Sequence, residues 1–194
     1  MSQIEKKEKA GINIMIDVET LGLKPDAVML SVGAVVFDVD RDLGEEFYME
    51  IDPDTYRGSI DISTLKFWFD QAGKGMKPPL DGKNPAIRVA AELYQWLNSY
   101  NTGETEVILW ANGTDFDIPK LTRLVNRYDS HLPWKYHNVR DYRTFAKLFG
   151  AFGIKPEKKG HHNALSDAKW QAEHMISIAR NVNEFVEIDM GDLL

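Results

Sequence analysis

Apolar residues follow two rhythms along this chain. The first third alternates as strands do, and most of the remainder repeats at helical spacing. Ile12-Asn13-Ile14-Met15-Ile16 opens a strand reaching about Val18, and Leu23-Lys24-Pro25-Asp26 is a turn. Val28 to Phe37 is a second, mostly apolar strand, the turn residues Asp38 to Gly44 follow, and Glu46 to Ile51 alternates as a third. Short turns between three strands predict an antiparallel meander.

The helical rhythm then takes over. Ser63 to Gln71 predicts a short helix capped by Asp61 or Ser63, and Gly73, Gly75, Pro78, Pro79, Gly82 and Pro85 punctuate a loop. A helix over Ala86–Tyr100 places Ile87, Ala90, Ala91, Tyr94 and Leu97 on one face. Glu106 to Trp110 is a short buried strand, and the next helix takes Pro119 at its start and runs to about Tyr128. Tyr136 to Val139 is a last strand, Asp141 to Phe149 a helix stopped by Gly150, and Ala164 to Arg180 a closing helix. Ala168, Ala172, Met175, Ile176 and Ala179 recur on it at helical spacing. The fold class expected is α/β: a five-stranded mixed sheet, a meander continued by parallel strands, flanked by helices. One domain is expected over 11–182, with 1–10 and 183–194 as terminal extensions.

Composition narrows the class. The 194 residues are 43% hydrophobic and 27% charged, as in an ordinary globular domain with a sizeable core. Without cysteine there are neither disulfides nor thiolate metal sites. The polar stretch Met1 to Lys9 has no apolar segment of a secretory signal, and no run approaches the roughly 18 apolar residues of a membrane span. A cytoplasmic protein away from membranes is expected. Thirty acidic residues against 23 basic ones give a net charge of −7, which disfavours a protein that coats nucleic acid by neutralising phosphates. An enzyme that meets phosphate through metal ions is untouched by that argument, because the ions supply positive charge locally.

The chemistry concentrates at element ends. Asp17 and Glu19, two apart on the first strand, share a face about 7 Å apart. Such a pair is either an acidic strand edge or half of a site for a hard divalent cation, and the stretch alone leaves both readings open. Downstream, Asn112-Gly113-Thr114-Asp115-Phe116-Asp117 puts carboxylates just after the fourth strand. His162 stands five residues ahead of Asp167, one on a loop and the other in the first turns of the last helix. Four carboxylates and one imidazole are the parts two-metal hydrolysis needs.

Together, Asp17 to Thr20, Asn112 to Asp117 and His162 to Asp167 resemble the motifs of the histidine-containing (DEDDh) branch of the DEDD exonuclease superfamily, over roughly residues 12–180. Within it, Pro25-Asp26-Ala27, Phe67 to Gln71, Trp110 to Gly113 and Asp141 to Thr144 look like a group of small bacterial and phage 3′–5′ exonucleases. The resemblance implies a ribonuclease H-like fold and stepwise hydrolysis of single-stranded DNA or RNA from the 3′ end to nucleoside 5′-monophosphates. It also implies two divalent ions, Mg²⁺ or Mn²⁺. Asp17 would bridge both, Glu19 and Asp167 would complete the site of the ion that activates water, Asp117 would hold the second, and His162 would be the general base. Asp117 is preferred to Asp115 because it follows Phe116, which anchors the motif in the core.

Thr20, Leu21 and Leu30 would touch the terminal nucleotide if the family's geometry holds. Asn112 either bonds the substrate or ends the strand, Arg143 and His161 are either substrate contacts or surface residues, and Trp68 and Phe69 suit either base stacking or packing. Lys155, Lys158 and Lys159 form a basic run that is either a solvated loop or a guide for the phosphate backbone. A homodimer is the expected assembly. Two rival readings are an endonuclease or transferase on the same fold, and a binding module whose carboxylates are surface charge.

Overall fold

Three antiparallel strands, β1 (Ala10–Thr20), β2 (Met29–Asp38) and β3 (Asp42–Glu50), open the chain in a computed structural model that describes residues 9–157 and 162–186. Two more, β4 (Thr105–Ala111) and β5 (Val139–Asp141), add in parallel on the other side of β1, giving the sheet order β3-β2-β1-β4-β5. The helices are α1 (Ile62–Gly73), α2 (Ala86–Ser99), α3 (Thr114–Val125), α4 (Tyr142–Phe149) and α5 (Ala164–Val186). The mixed five-stranded sheet agrees with the apolar pattern.

The acidic strand is central, not an edge. β1 pairs with β2 on one side and with β4 on the other. Its two faces enter different cores. Ile14, Ile16 and Val18 pack with Val89, Leu93 and Leu97 of α2 and Leu121 and Leu124 of α3. Met15 belongs to the opposite core, with Val35, Ile108 and Trp110 and with Ala168, Ala172 and Met175 of α5. By strand alternation Asp17 and Glu19 lie on Met15's face, toward α5. Pairing with β4 ends at Met15–Trp110, so the acidic end of β1 runs on past its parallel neighbour.

One glycine sets how closely α5 approaches. Gly33 of β2 stands opposite Asp17. A Cβ there would lie 2.1 Å from the backbone nitrogen of Leu165 and 2.3 Å from the carbonyl carbon of Ala164. Only a residue without a side chain lets the first turn of α5 rest directly on the strand.

Several local expectations need correcting. Pro119 lies inside α3, because the helix starts at Thr114 and takes Asp115 and Asp117 into its first turn. Ile87 faces solvent, while Val89 and Leu93 face the core beside Ala90 and Leu97. Tyr136–Asn138 is a 3₁₀ turn and the strand is Val139–Asp141. β3 begins at Asp42, whose φ of 69° closes the hairpin early. Asp61 occupies the N-cap position of α1, yet its carboxylate accepts from the Leu23 backbone N–H at 2.7 Å. α5 continues to Val186.

Candidate active site

The site is assembled where β1 outruns β4. The start of α5 is fixed by Asn163, whose Oδ1 accepts from the Ser166 N–H at 3.0 Å and whose carbonyl accepts from the Asp167 N–H at 2.9 Å. Asn163 Nδ2 also donates to the Tyr48 hydroxyl on β3 at 3.1 Å, and that hydroxyl donates to Glu50 at 3.0 Å. Burial first, and Glu50 second, push the Tyr48 phenol up to about 12, so it stays a neutral tether.

With the helix seated on Gly33, three side chains converge. Glu19, His162 and Asp167 each bring one ligand atom to within 4.8 Å of the others, and both carboxylates are buried. One turn beyond Asp167, Gln171 Nε2 donates to Asp17 Oδ1 at 3.2 Å. Asp17 and Glu19 come from β1, Asp167 and Gln171 from α5, and His162 from the loop before it.

Asp117 closes the site from the other flank. Gly113, at a φ of 103°, turns the chain from β4 into α3. Asp141 then holds two helix starts: Oδ2 accepts from the Gly113 and Thr114 N–H groups at 3.1 and 3.0 Å, and Oδ1 from the Thr144 N–H at 2.7 Å. Burial raises the Asp141 carboxyl, but these backbone donors outweigh it and hold the group below the usual range. Asp117 points inward and is 2% exposed, whereas Asp115 is exposed. Burial, then repulsion from Asp17, pushes the Asp117 carboxyl up to about 9, and Lys120 and Arg143 offset this only in part.

Lys120 was not foreseen. It is 1% exposed, donates to the carbonyls of Leu23 and Phe116 at 3.0 Å each, and lies 3.4 Å above the Phe116 ring. Burial lowers its pKa against the pull of Asp117. Its spacing from Asp117, Leu121 and Leu124 on one helical face was the available signal.

The cleft itself, 410 Å³, is lined among others by Glu19, Thr20, Ser63, Phe67, Trp68 and His162. His162 holds a φ of 60°, and its ring meets Phe67 edge-on at 4.7 Å and Trp68 at 6.2 Å. Trp68 is a buried wall whose Nε1 donates to the Thr20 carbonyl at 2.9 Å, while Phe69 is 74% exposed. The structure thus brings Thr20 and Trp68 to the cleft.

Leu21 is buried beside the cleft, and Leu30 is fully enclosed in the core with no surface to offer a nucleotide, because both of its faces are packed. Asn112 lies at the end of β4 and uses its carbonyl to accept from Arg143 Nη2 at 2.9 Å, leaving Arg143 exposed over Gly113. Lys155 sits 5.1 Å above the Trp170 ring, and His161, Lys158 and Lys159 fall outside the described residues.

Oxygen donors gathered against their mutual repulsion, with one imidazole and no thiolate, suit hard divalent cations. The raised proton affinity of Asp117 comes first from burial and then from repulsion by Asp17. No described helix is long and apolar enough to cross a membrane.

Comparison with known proteins points the same way. The family model of the 3′-5′ exoribonuclease Rv2179c-like domain matches residues 12–179. Over 157 residues the chain is 25% identical to an exodeoxyribonuclease of Enterobacteria phage T4, covering 68% of this chain and 69% of the phage protein. Among solved structures, E. coli exonuclease I in complex with a 5cy-dA13 oligonucleotide superposes with a TM-score of 0.59 at 16% identity. That match covers 94% of this chain but 42% of exonuclease I, so the chain spans less than half of that enzyme. The nuclease domain of 3′hExo, a DEDDh family member bound to rAMP, gives 0.60 at 13% identity, covering 88% of this chain and 92% of that domain. Identities this low carry the fold, which is that of the ribonuclease H-like exonucleases.

Proposed function

The chain belongs to the Rv2179c-like 3′-5′ exoribonuclease domain family, of DEDDh type, and from that premise we propose that it removes nucleotides one at a time from the 3′ ends of single-stranded nucleic acid. The observation that carries this reading is the convergence of His162 with Glu19 and Asp167 at the mouth of a cleft walled by Trp68 and Phe67.

The terminal nucleotide would enter the cleft beside Thr20, with the scissile phosphate over the four carboxylates. A ring nitrogen of half-exposed His162 takes a proton from the water that attacks phosphorus, and an imidazole titrates where that exchange is fast at neutral pH. The new bond joins the water oxygen to phosphorus, and the bond to the upstream 3′ oxygen breaks. A nucleoside 5′-monophosphate and a strand one residue shorter, ending in a 3′ hydroxyl, are the products. Asp17, Glu19, Asp117 and Asp167 would hold two divalent ions, Mg²⁺ or Mn²⁺, which when bound lower the pKa of water and stabilise charge on the phosphoryl oxygens. Gln171 keeps Asp17 oriented toward α5, and Asp141 keeps Asp117 in place across the cleft.

Digestion of 3′- and 5′-labelled DNA and RNA oligonucleotides, with Mn²⁺ or with EDTA, tests the proposal. Mononucleotides released first from the 3′ label, in Mn²⁺ only, are the expected result. Internal cleavage of an end-blocked strand would instead identify an endonuclease.

A further inference from the structure

On a chain of net charge −7, the side chains of two arginines meet the backbone of a third, the exposed Arg57, at one place outside the carboxylate site. Arg123 Nη2 and Arg127 Nη2 both donate to the carbonyl of Arg57, at 3.0 and 3.3 Å, and Arg123 Nη1 donates to the carbonyl of Asp26. Beneath them lies Tyr56, 2% exposed, with the guanidinium carbons of Arg127 and Arg123 at 4.1 and 5.8 Å from its ring centre. Burial raises the pKa of its hydroxyl, and the Arg127 side chain beside it offsets this in part through its charge and a hydrogen bond. Among the described residues no carboxylate lies within ion-pair distance of the three guanidiniums. The nearby Asp26 carboxylate accepts from the Ser59 hydroxyl at 2.9 Å.

This placement is ordered with respect to the cleft. Asp117, Lys120, Arg123 and Arg127 succeed one another along α3 and its end, and they reach in turn the site, the Leu23 carbonyl, the Asp26 carbonyl and the Arg57 carbonyl. At the helical rise, Arg127 lies about 15 Å from Asp117. A strand stacked at about 3.4 Å per nucleotide covers that distance in roughly four nucleotides. Guanidiniums stacked on an aromatic ring and pinned to carbonyls are pre-oriented, and each has five N–H donors, of which Arg123 uses two on carbonyls and Arg127 one.

Resting on the exonuclease reading above, we propose that Arg57, Arg123 and Arg127 form a phosphate-binding track that holds the substrate strand a few nucleotides upstream of the scissile bond. It reads backbone charge without base sequence, so it favours long strands over dinucleotides.

Equilibrium binding of a 5′-labelled oligonucleotide longer than about six nucleotides, and of a dinucleotide, measured in EDTA where nothing is cleaved, tests the track. Arg57→Gln and Arg123→Gln should each weaken binding of the long strand about fivefold. Each should also flatten the slope of log affinity against log salt by about 0.7. Dinucleotide binding should not change, and Arg123→Lys should keep the parent salt slope. Arg57 is exposed and lends only its backbone carbonyl to the cluster, so its variant separates charge from folding. Equal losses on both lengths, or unchanged affinity for the long strand, would overturn the proposal. A parent protein that shows the arginine-dependent binding but releases no mononucleotide with Mn²⁺ would sink the exonuclease reading and leave the track standing.

Discussion

The two flanks of the cleft hold their charged groups by opposite means. On the α3 flank Asp117 is buried inside a helix whose start is clamped to that of α4 by one carboxylate, Asp141. On the α5 flank His162 stands outside the helix, half-exposed, at a positive φ, against the edges of Phe67 and Trp68. Bracing fixes the Asp117 carboxylate, and burial disfavours its charge but strengthens its attraction to the cation it is proposed to hold. His162, proposed to take up and release a proton each cycle, has the contact with water that such a role needs.

The sharpest test of this contrast is Asp117→Asn. Loss of a ligand carboxylate should lower kcat by about a thousandfold or more. Stability should move the other way. The folded-state pKa is raised above the unfolded value of 3.8 to about 9, so the parent loses stability as pH rises between those values. At pH 8 without metal the variant should therefore melt higher than the parent, and at pH 4 the two should converge. A variant that melts lower at pH 8 would break the picture of the braced flank.

His162→Ala should follow, with kcat down about 10²- to 10⁴-fold and the acid limb of the pH–rate profile gone. Its melting temperature should be nearly that of the parent, because a half-exposed ring gives up little on leaving. Asp141→Ala removes caps from two helices and should lower unfolding free energy by about 2 kcal/mol in urea titration. Asn163→Ala removes one cap and should cost about 1 kcal/mol. If the Asn163 change proved the costlier of the two, the α5 flank would be the better braced.

The smallest effect concerns His174. Its ring is buried beside Trp170, 2.8 Å from the Tyr142 hydroxyl, and burial, with the Lys155 charge, lowers its pKa below 6.5. The neutral ring is the native form, so its stabilising contribution is complete above pH 6.5 and is lost as pH falls toward the lowered folded-state value. His174→Gln should remove that acid sensitivity, visible as a flatter plot of urea midpoint against pH below 6.5.

Much of the site was legible because its signals are local. Asp17 and Glu19 share a strand face by alternation alone, and His162 precedes Asp167 by a separation that spans a loop and one helical turn. The central sheet followed from apolar runs in the same way. What could not be read depends on partners distant in the chain. Lys120 finds its carbonyl in Leu23, Asp141 finds helix starts on both sides of β5, and nothing near Gly33 announces α5. Pro119 misled for a local reason: proline favours a helix start, but the Asp141 carboxylate had already begun α3 at Thr114. Leu30 was offered as a contact by the family resemblance alone, and the packing that encloses it comes from partners distant in the chain.

The contact at Gly33 has a bearing on how this protein can vary. A single methyl group there would lift the start of α5 off the strand, widening the gap between Asp17 on one side and Asp167 and His162 on the other. All the chemical groups would survive. The spacing of the catalytic groups is thus a mechanical tolerance, held by a position that has no functional group of its own. If Asp17, Asp167 and His162 act as proposed, Gly33→Ala should lower kcat with all three side chains still in the sequence, read by the oligonucleotide digestion above.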